Sequence, residues 1–274
     1  MWINKRKIKK LSADIRKIID GENIDIRNNS EGAWSILLND IHTLTNLKNE
    51  QVNTLQREHI AMADTLADIS HQLKTPLTSM MIMADLLENA PPDKQAEFLG
   101  NIKTGLTRME WLVSVLLKMA KLDAGAVEFV QEYVDSAELV NLALEPLQIL
   151  LDVKNQRVET FCKKQILCDK RLTAEALTNV IKNALEYSPD GGIIRIESGI
   201  NPICSWISVT DSGEGITNAQ IVKLFKRFEG SRSDKGYGIG LPLALAIMRR
   251  QNGDIEVDGG GNGKGATFTL KLFN

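Results

Sequence analysis

The chain is 274 residues long, with 33 Lys+Arg against 35 Asp+Glu for a formal charge of −2. That length suits two or three compact units, and the near-neutral balance argues against non-specific nucleic-acid binding. No apolar run reaches the roughly 20 residues that a bilayer demands, and Cys162, Cys168 and Cys204 show no zinc-type pairing, so they read as buried, reduced thiols.

The opening stretch, MWINKRKIKK, sets Trp2 before five basic residues between Lys5 and Lys10. An interfacial aromatic followed by a cationic cluster marks the cytoplasmic end of a membrane helix. The expectation is the cytoplasmic portion of a membrane protein anchored upstream of residue 1. Ile8, Leu11, Ile15 and Ile18 then form one apolar stripe and Trp34, Leu37, Ile41 and Leu44 another, with the polar DGENIDIRNNSEG between them. Two short amphipathic helices bury little alone and call for a second chain.

From Val52 the apolar positions run Leu55, His59, Met62, Leu66, Ile69 and Leu73, and resume as Met80, Met83 and Leu87. The alternating spacing of three and four is a coiled-coil repeat. Pro91 and Pro92 in ENAPPDK end it, and a second stripe follows at Leu99, Ile102, Leu106, Met109, Val113, Leu116 and Ala120. Residues 51–125 therefore read as an all-α coiled-coil hairpin that pairs with a second copy in a homodimeric four-helix bundle. Gly125 closes it. Beyond, β-like runs VEFV, QRVETF, GIIRIES and SWISVTD alternate with helical segments at 136–152 and 171–187, and DIEVDG and ATFTLKLF read as a closing hairpin. Residues 126–274 are thus expected to form an α/β sandwich, a mixed sheet with helices on one face.

Two places carry chemistry. In ADISHQLKTPLTSMM the heptad puts Leu66, Ile69 and Leu73 on the seam, so His71 points outward, where a nucleophile needs to be. Pro76 has no N–H for the carbonyl of Gln72 and presses a bend beside His71, while Asp68 and Thr75 share the histidine's exposed face. In the second half, LTNVIKNALEYSP sets Asn179, Asn183 and Tyr187 on one polar stripe of an otherwise apolar helix, which is costly unless the amides bind something. VTDSGEGI places Asp211 at a strand end, with Gly213 and Gly215 admitting a ligand close to the backbone. LFKRF follows. GYGIGLPLALAIMRR then supplies Gly236, Gly238, Gly240 and Leu241 at a helix start, a setting suited to phosphates, and GNGKGATF brings Gly263, Gly265 and Thr267 before the last strand.

The stretch SHQLKTPL resembles the phospho-accepting box of bacterial sensor histidine kinases. The ordered set of Asn box, DxGxG, phenylalanine box, GxGxG and GxT resembles the ATP-binding domain that these kinases share with gyrase-type, mismatch-repair and heat-shock ATPases. Residues 1–50 look like a juxtamembrane linker of the HAMP type. The resemblance implies that His71 attacks the γ-phosphate of ATP and passes the phosphoryl group to the aspartate of a cognate response regulator. It implies that Thr75 orients the water of a phosphatase reaction, that Asn183 ligates Mg²⁺, and that Asn179 lies near the phosphates. By the same resemblance Asp211 accepts the adenine amino group, with Thr267 and a bridging water close by. Gly236, Gly238 and Gly240 would wrap the phosphates, Phe225 and Phe228 would couple lid and core, and Arg227 would reach the γ-phosphate.

Two positions depart from the family pattern. Gln72 stands where a carboxylate is usual; its amide oxygen accepts a hydrogen bond but takes no proton, leaving Asp68, one turn away, as the substitute. Glu186 stands where a cation is usual, with Lys182 on the adjacent turn as the compensating group. Both point to an alternative, a phosphatase-biased regulator; a further one is an ATP-dependent switch or scaffold of the same fold that transfers nothing.

Overall fold

The computed structural model describes residues 5–19, 33–88, 90–228, 238–260 and 265–274. Trp2, the 20–32 connector, Gly236 and Gly263 lie outside the described residues, as does the side chain of Trp34. Two compact units emerge, residues 1–70 and 71–274.

The first unit holds α1 (Lys5–Ile19) and most of α2 (Ala33–Leu87). No Gly or Pro occurs between Ala33 and Thr75, so nothing interrupts helix propagation. α2 runs unbroken through residue 50, where the sequence pattern placed the end of a separate linker. Its threonines fold back: Thr43, Thr45 and Thr54 each donate to the carbonyl four residues earlier.

In the second unit, α2 ends at Leu87 and α3 (Pro92–Asp123) begins directly after the proline pair. Pro91 is the N-cap and Pro92 the first helical residue, a position where the missing N–H costs no hydrogen bond. The two helices approach closely at Gly105, where a Cβ would stand 2.6 Å from the Met80 sulfur. On α3 the buried residues are Leu112, Val115, Met119 and Leu122. This stripe differs from the one read from sequence, where Val113 and Ala120 are exposed instead. The last turns of α3 pack into the core of the α/β half, which a pattern read along one helix does not anticipate.

The α/β half begins with β1 (Glu132–Asp135), α4 (Ser136–Leu144), a 3₁₀ turn at Pro146 and α5 (Gln148–Lys154). β2 (Arg157–Phe161), β3 (Gln165–Cys168), α6 (Lys170–Tyr187), β4 (Ile193–Ile200) and β5 (Cys204–Thr210) follow, then α7 (Asn218–Leu224), α8 (Gly240–Arg250), β6 (Gly253–Asp258) and β7 (Thr267–Phe273). The main sheet has the order β2-β4-β5-β7-β6, with β2 and β4 parallel and the other neighbours antiparallel. It is a mixed sheet, as expected, and β6–β7 form the closing hairpin. VEFV is not a strand: residues 127–130 are irregular, because no strand among the described residues pairs with them. QILC, unread in the sequence, forms β3 and pairs with β1 apart from the main sheet.

α6 packs against α4 and α8, and its Ala176, Leu177, Val180, Ile181, Ala184 and Leu185 are fully buried. The three cysteines are buried and free, and burial pushes the thiols of Cys162 and Cys168 up from their ordinary range, away from reactivity. Leu177 sits at the centre of this packing, and Leu177→Ala is expected to lower the unfolding free energy by about 3 kcal/mol. Urea denaturation followed by circular dichroism measures it; a loss under about 1 kcal/mol would mean that the site collapses around the smaller side chain.

Candidate functional site

His71 projects from α2 with an exposed side chain, as do Asp68 and Thr75, while Gln72 and Leu73 are half-buried. Leu73 packs on the core, which turns the other side of the helix, with His71, toward solvent. Thr75 donates its hydroxyl to the His71 carbonyl at 3.2 Å, leaving its lone pairs open to a water proton. Pro76 sits inside the helix, which continues through it to Leu87.

The second cluster is built on α6. Asp169 caps the helix, accepting from Leu172 N at 2.9 Å, and the apolar side described above buries itself, so Asn179, Lys182, Asn183, Glu186 and Tyr187 occupy the other side. The Asn179 amide donates to the Glu175 carbonyl at 2.9 Å. Its oxygen faces Gly240, where a Cβ would come within 2.7 Å; only a glycine at the start of α8 lets that helix end meet Asn179. The Asn183 amide nitrogen is buried without a hydrogen-bond partner among the described residues. An orphaned amide on this face suits a side chain waiting for a ligand, since an unmet buried polar group is otherwise a net cost. The orphaned group is an N–H donor and suits an anionic oxygen such as a phosphate's; a Mg²⁺ ion would be held through the Asn183 amide oxygen instead.

Asp211 directly follows the end of β5 and is buried. Its Oδ1 accepts from Gly213 N at 2.8 Å and Ala266 N at 3.0 Å, which leaves Oδ2 as the acceptor for something else. Gly265, at φ +71°, has the Asp211 backbone oxygen where a Cβ would be, so the GxT turn closes directly over the aspartate. Thr267 opens β7 opposite Thr210, their hydroxyls 3.0 Å apart. Burial pushes the Asp211 carboxyl above its ordinary range, although the Ala266 and Gly213 amides pull it down. Gly213 also backs onto the carbonyl of Tyr187, which joins the aspartate loop to the end of α6, and Gly215 follows at φ +84°.

The phenylalanine box and the glycine box meet. Phe228 N donates to Gly238 O at 3.2 Å, with Phe228 at φ +67°, a conformation a bulky residue adopts only under constraint. Phe225 packs on the core, and Leu241 is buried within α8. Two expected phosphate contacts are engaged elsewhere. Arg227 donates to the Asp123 carboxylate at 2.7 Å, beside Arg250 on the Asp123 carbonyl. Lys182 places its ammonium 5.5 Å from the centre of the Trp111 ring and 3.9 Å from Glu186. Sequence reasoning missed Trp111, Asp123 and the Lys118–Glu175 pair at 2.6 Å, which line the α3 side of this half. No local motif announces them.

Residues 168–274 match the family described as histidine kinase-, DNA gyrase B-, and HSP90-like ATPase, and residues 61–125 match the His Kinase A (phospho-acceptor) domain. The sensor protein CreC of Escherichia coli is 31% identical over 58% of this chain and 34% of its own length. The sensor histidine kinase WalK of Bacillus subtilis is 32% identical over 60% of this chain and 28% of its own length. The chain therefore spans about a third of the length of these curated relatives. Among solved structures, full-length ShkA in complex with AMPPNP superposes with a TM-score of 0.58 at 25% identity, over 77% of this chain and 46% of that one.

Asp211→Asn keeps an acceptor for the two backbone amides and removes the ionisable group. A folded-state pKa raised above the unfolded one means that the native state holds its proton longer, so the wild type loses stability as pH rises through that pKa. The variant is expected to gain on the wild type as pH is raised from 3 to 7 and to be at least as stable at neutral pH. Urea titrations across that range check it, and a variant that loses ground with rising pH would show that the amide pair outweighs burial.

Proposed function

We propose that this chain, which belongs to the histidine kinase family by both its phospho-acceptor and its ATPase domain, autophosphorylates on His71 with ATP and passes the phosphoryl group to an aspartate of a response regulator. The observation that carries the reading is the exposed His71 on a proline-containing helix, in one chain with an α/β domain that holds a buried Asp211 with a spare carboxylate oxygen and an Asn183 amide with no partner among the described residues. The AMPPNP bound by ShkA supports the same ligand class here.

In this reading an imidazole nitrogen of His71 attacks the γ-phosphorus, the bond to the β-phosphate oxygen breaks, and ADP leaves. The imidazole proton passes to the Asp68 carboxylate or to water, because the Gln72 amide cannot take it. Asp211 Oδ2 receives the adenine amino group, and Asn183 holds the Mg²⁺ that neutralises the phosphates, with Asn179 beside it. Gly236, Gly238 and Gly240 wrap the phosphate chain. Arg227 reaches the phosphates once it leaves Asp123, and Lys182 once it leaves Trp111. In the reverse sense, the free lone pairs of Thr75 position a water to remove phosphate from the regulator. Gln72 and Glu186 favour this phosphatase direction over the kinase direction.

The working unit is a homodimer. On α2, Leu55, Met62 and Leu66 are 54–65% exposed, and on α3 Leu99 and Leu106 are 54–57% exposed; a second copy covers such rows in a four-helix bundle. No described helix is long and apolar enough to cross a membrane. The basic run Lys5–Lys10 at α1 supports a membrane surface next to residues 1–50, acting as a HAMP-type linker of an anchored, cytoplasm-facing kinase.

Incubation with γ-labelled ATP and Mg²⁺ is expected to place acid-labile, alkali-stable label on the wild type and none on His71→Gln, while Gln72→Glu raises the rate about 10²-fold. Phosphate released without labelling of any variant would instead identify a non-transferring ATPase. Leu106→Glu is expected to convert the dimer to a monomer in sedimentation velocity; an unchanged dimer would place the interface elsewhere.

A further inference from the structure

α6 ends without help from its own sequence. Its last turn holds no basic residue and carries Glu186, whose charge opposes the negative end of the helix dipole. The last carbonyls of any helix lack intrahelical donors, and here the partners come from the turn between α5 and β2. Lys154 Nζ donates to the carbonyls of Leu185 at 2.8 Å, Glu186 at 3.1 Å and Ser188 at 3.2 Å. Gln156 Nε2 donates to Leu185 at 3.1 Å, Ser188 at 3.0 Å and Pro189 at 3.0 Å. Gln156 is only 7% exposed, and its Oε1 finds no donor among the described residues; turning the amide over would set that oxygen against three carbonyls and forfeit all three bonds.

The grip continues into the nucleotide site. Gly191 N donates to Lys154 O and Arg157 N to Gly192 O, lacing the same turn to the loop after α6. The hydroxyl of Ser188, a buried residue, accepts from Ser212 N at 3.1 Å, and Ser212 bridges back to Ile193 through its own hydroxyl. Ser212 is the neighbour of Asp211, and Gly213 rests on the Tyr187 carbonyl. One hydrogen-bonded chain thus runs from Lys154 and Gln156 through the end of α6 to the aspartate.

We infer that Lys154 and Gln156 are positioning residues of the nucleotide site: they lock the last turn of α6, with Asn183 and Tyr187, in register with the Asp211 loop. Neither touches the nucleotide. The inference rests on the proposed function, since it assumes that Asp211 and Asn183 bind one ligand.

The test measures binding of Mg²⁺–AMPPNP by calorimetry, well below the melting temperature, to the wild-type chain, Lys154→Met, Lys154→Arg and Gln156→Met. Lys154→Met is expected to raise the dissociation constant roughly tenfold, with Lys154→Arg close to wild type and Gln156→Met shifted in the same direction. In autophosphorylation the KM for ATP rises in parallel, while kcat changes less than twofold. A folded Lys154→Met with a lowered melting temperature and an unchanged dissociation constant would reduce the lysine to a helix cap and overturn the inference. Should Lys154→Met not fold, Gln156→Met decides by the same criterion. A wild type that binds no nucleotide would sink the proposed function first, and this inference with it.

Discussion

Helix α6 has to satisfy two environments at once. Along one side Leu177, Val180, Ile181, Ala184 and Leu185 lose all contact with water; along the other, two asparagines, a lysine, a glutamate and a tyrosine remain for ligand or neighbouring helix. Burial at about 25 cal/mol per Å² of apolar surface settles which side faces the sheet, and once it does, the polar side has a fixed aspect toward α8 and the Asp211 loop. Everything else at the site is arranged around that orientation: the Gly240 start of α8 lies against Asn179, and the GxT turn folds over Asp211.

The polar groups of the site are held at some cost to the fold. Asp211 keeps a carboxyl in a buried place that favours its protonated form, and Asn183 keeps an amide nitrogen without a partner among the described residues. The cations show the converse. Arg227 and Lys182, the cations proposed for the phosphates, are engaged along α3 by Asp123 and Trp111.

Much of this was legible in the sequence because it is local. The proline pair sets the hairpin turn through φ and a missing donor, and Leu66, Ile69 and Leu73 send His71 outward by helical period; Gly213 and Gly240, read as places where a ligand comes close, stand instead against Tyr187 and Asn179, and Gly265 against Asp211. Elsewhere the pattern misled. VEFV alternates like a strand, yet a strand exists only where another strand supplies the ladder, and among the described residues its Val130 N donates to the Asp169 carboxylate instead. QILC is too short to show a period but finds β1. On α3 the heptad showed only one of two faces: Leu112, Val115, Met119 and Leu122 are buried within the chain, while Leu99, Leu106 and Val113 of the heptad row stay exposed.

What the sequence determined by itself is the chemistry that follows from spacing along one element: an exposed imidazole before a proline, two amides on one side of a helix, an acid at a strand end, glycines at the turns. What only the tertiary structure decided is the pairing of groups far apart in the chain: Thr210 with Thr267, Arg227 with Asp123, Lys154 and Gln156 with the carbonyls that end α6. The reason is physical. Dihedral preferences and periodicity act over a few residues, whereas these contacts exist only after the sheet has set the register of β5 against β7 and packed α6 beneath it.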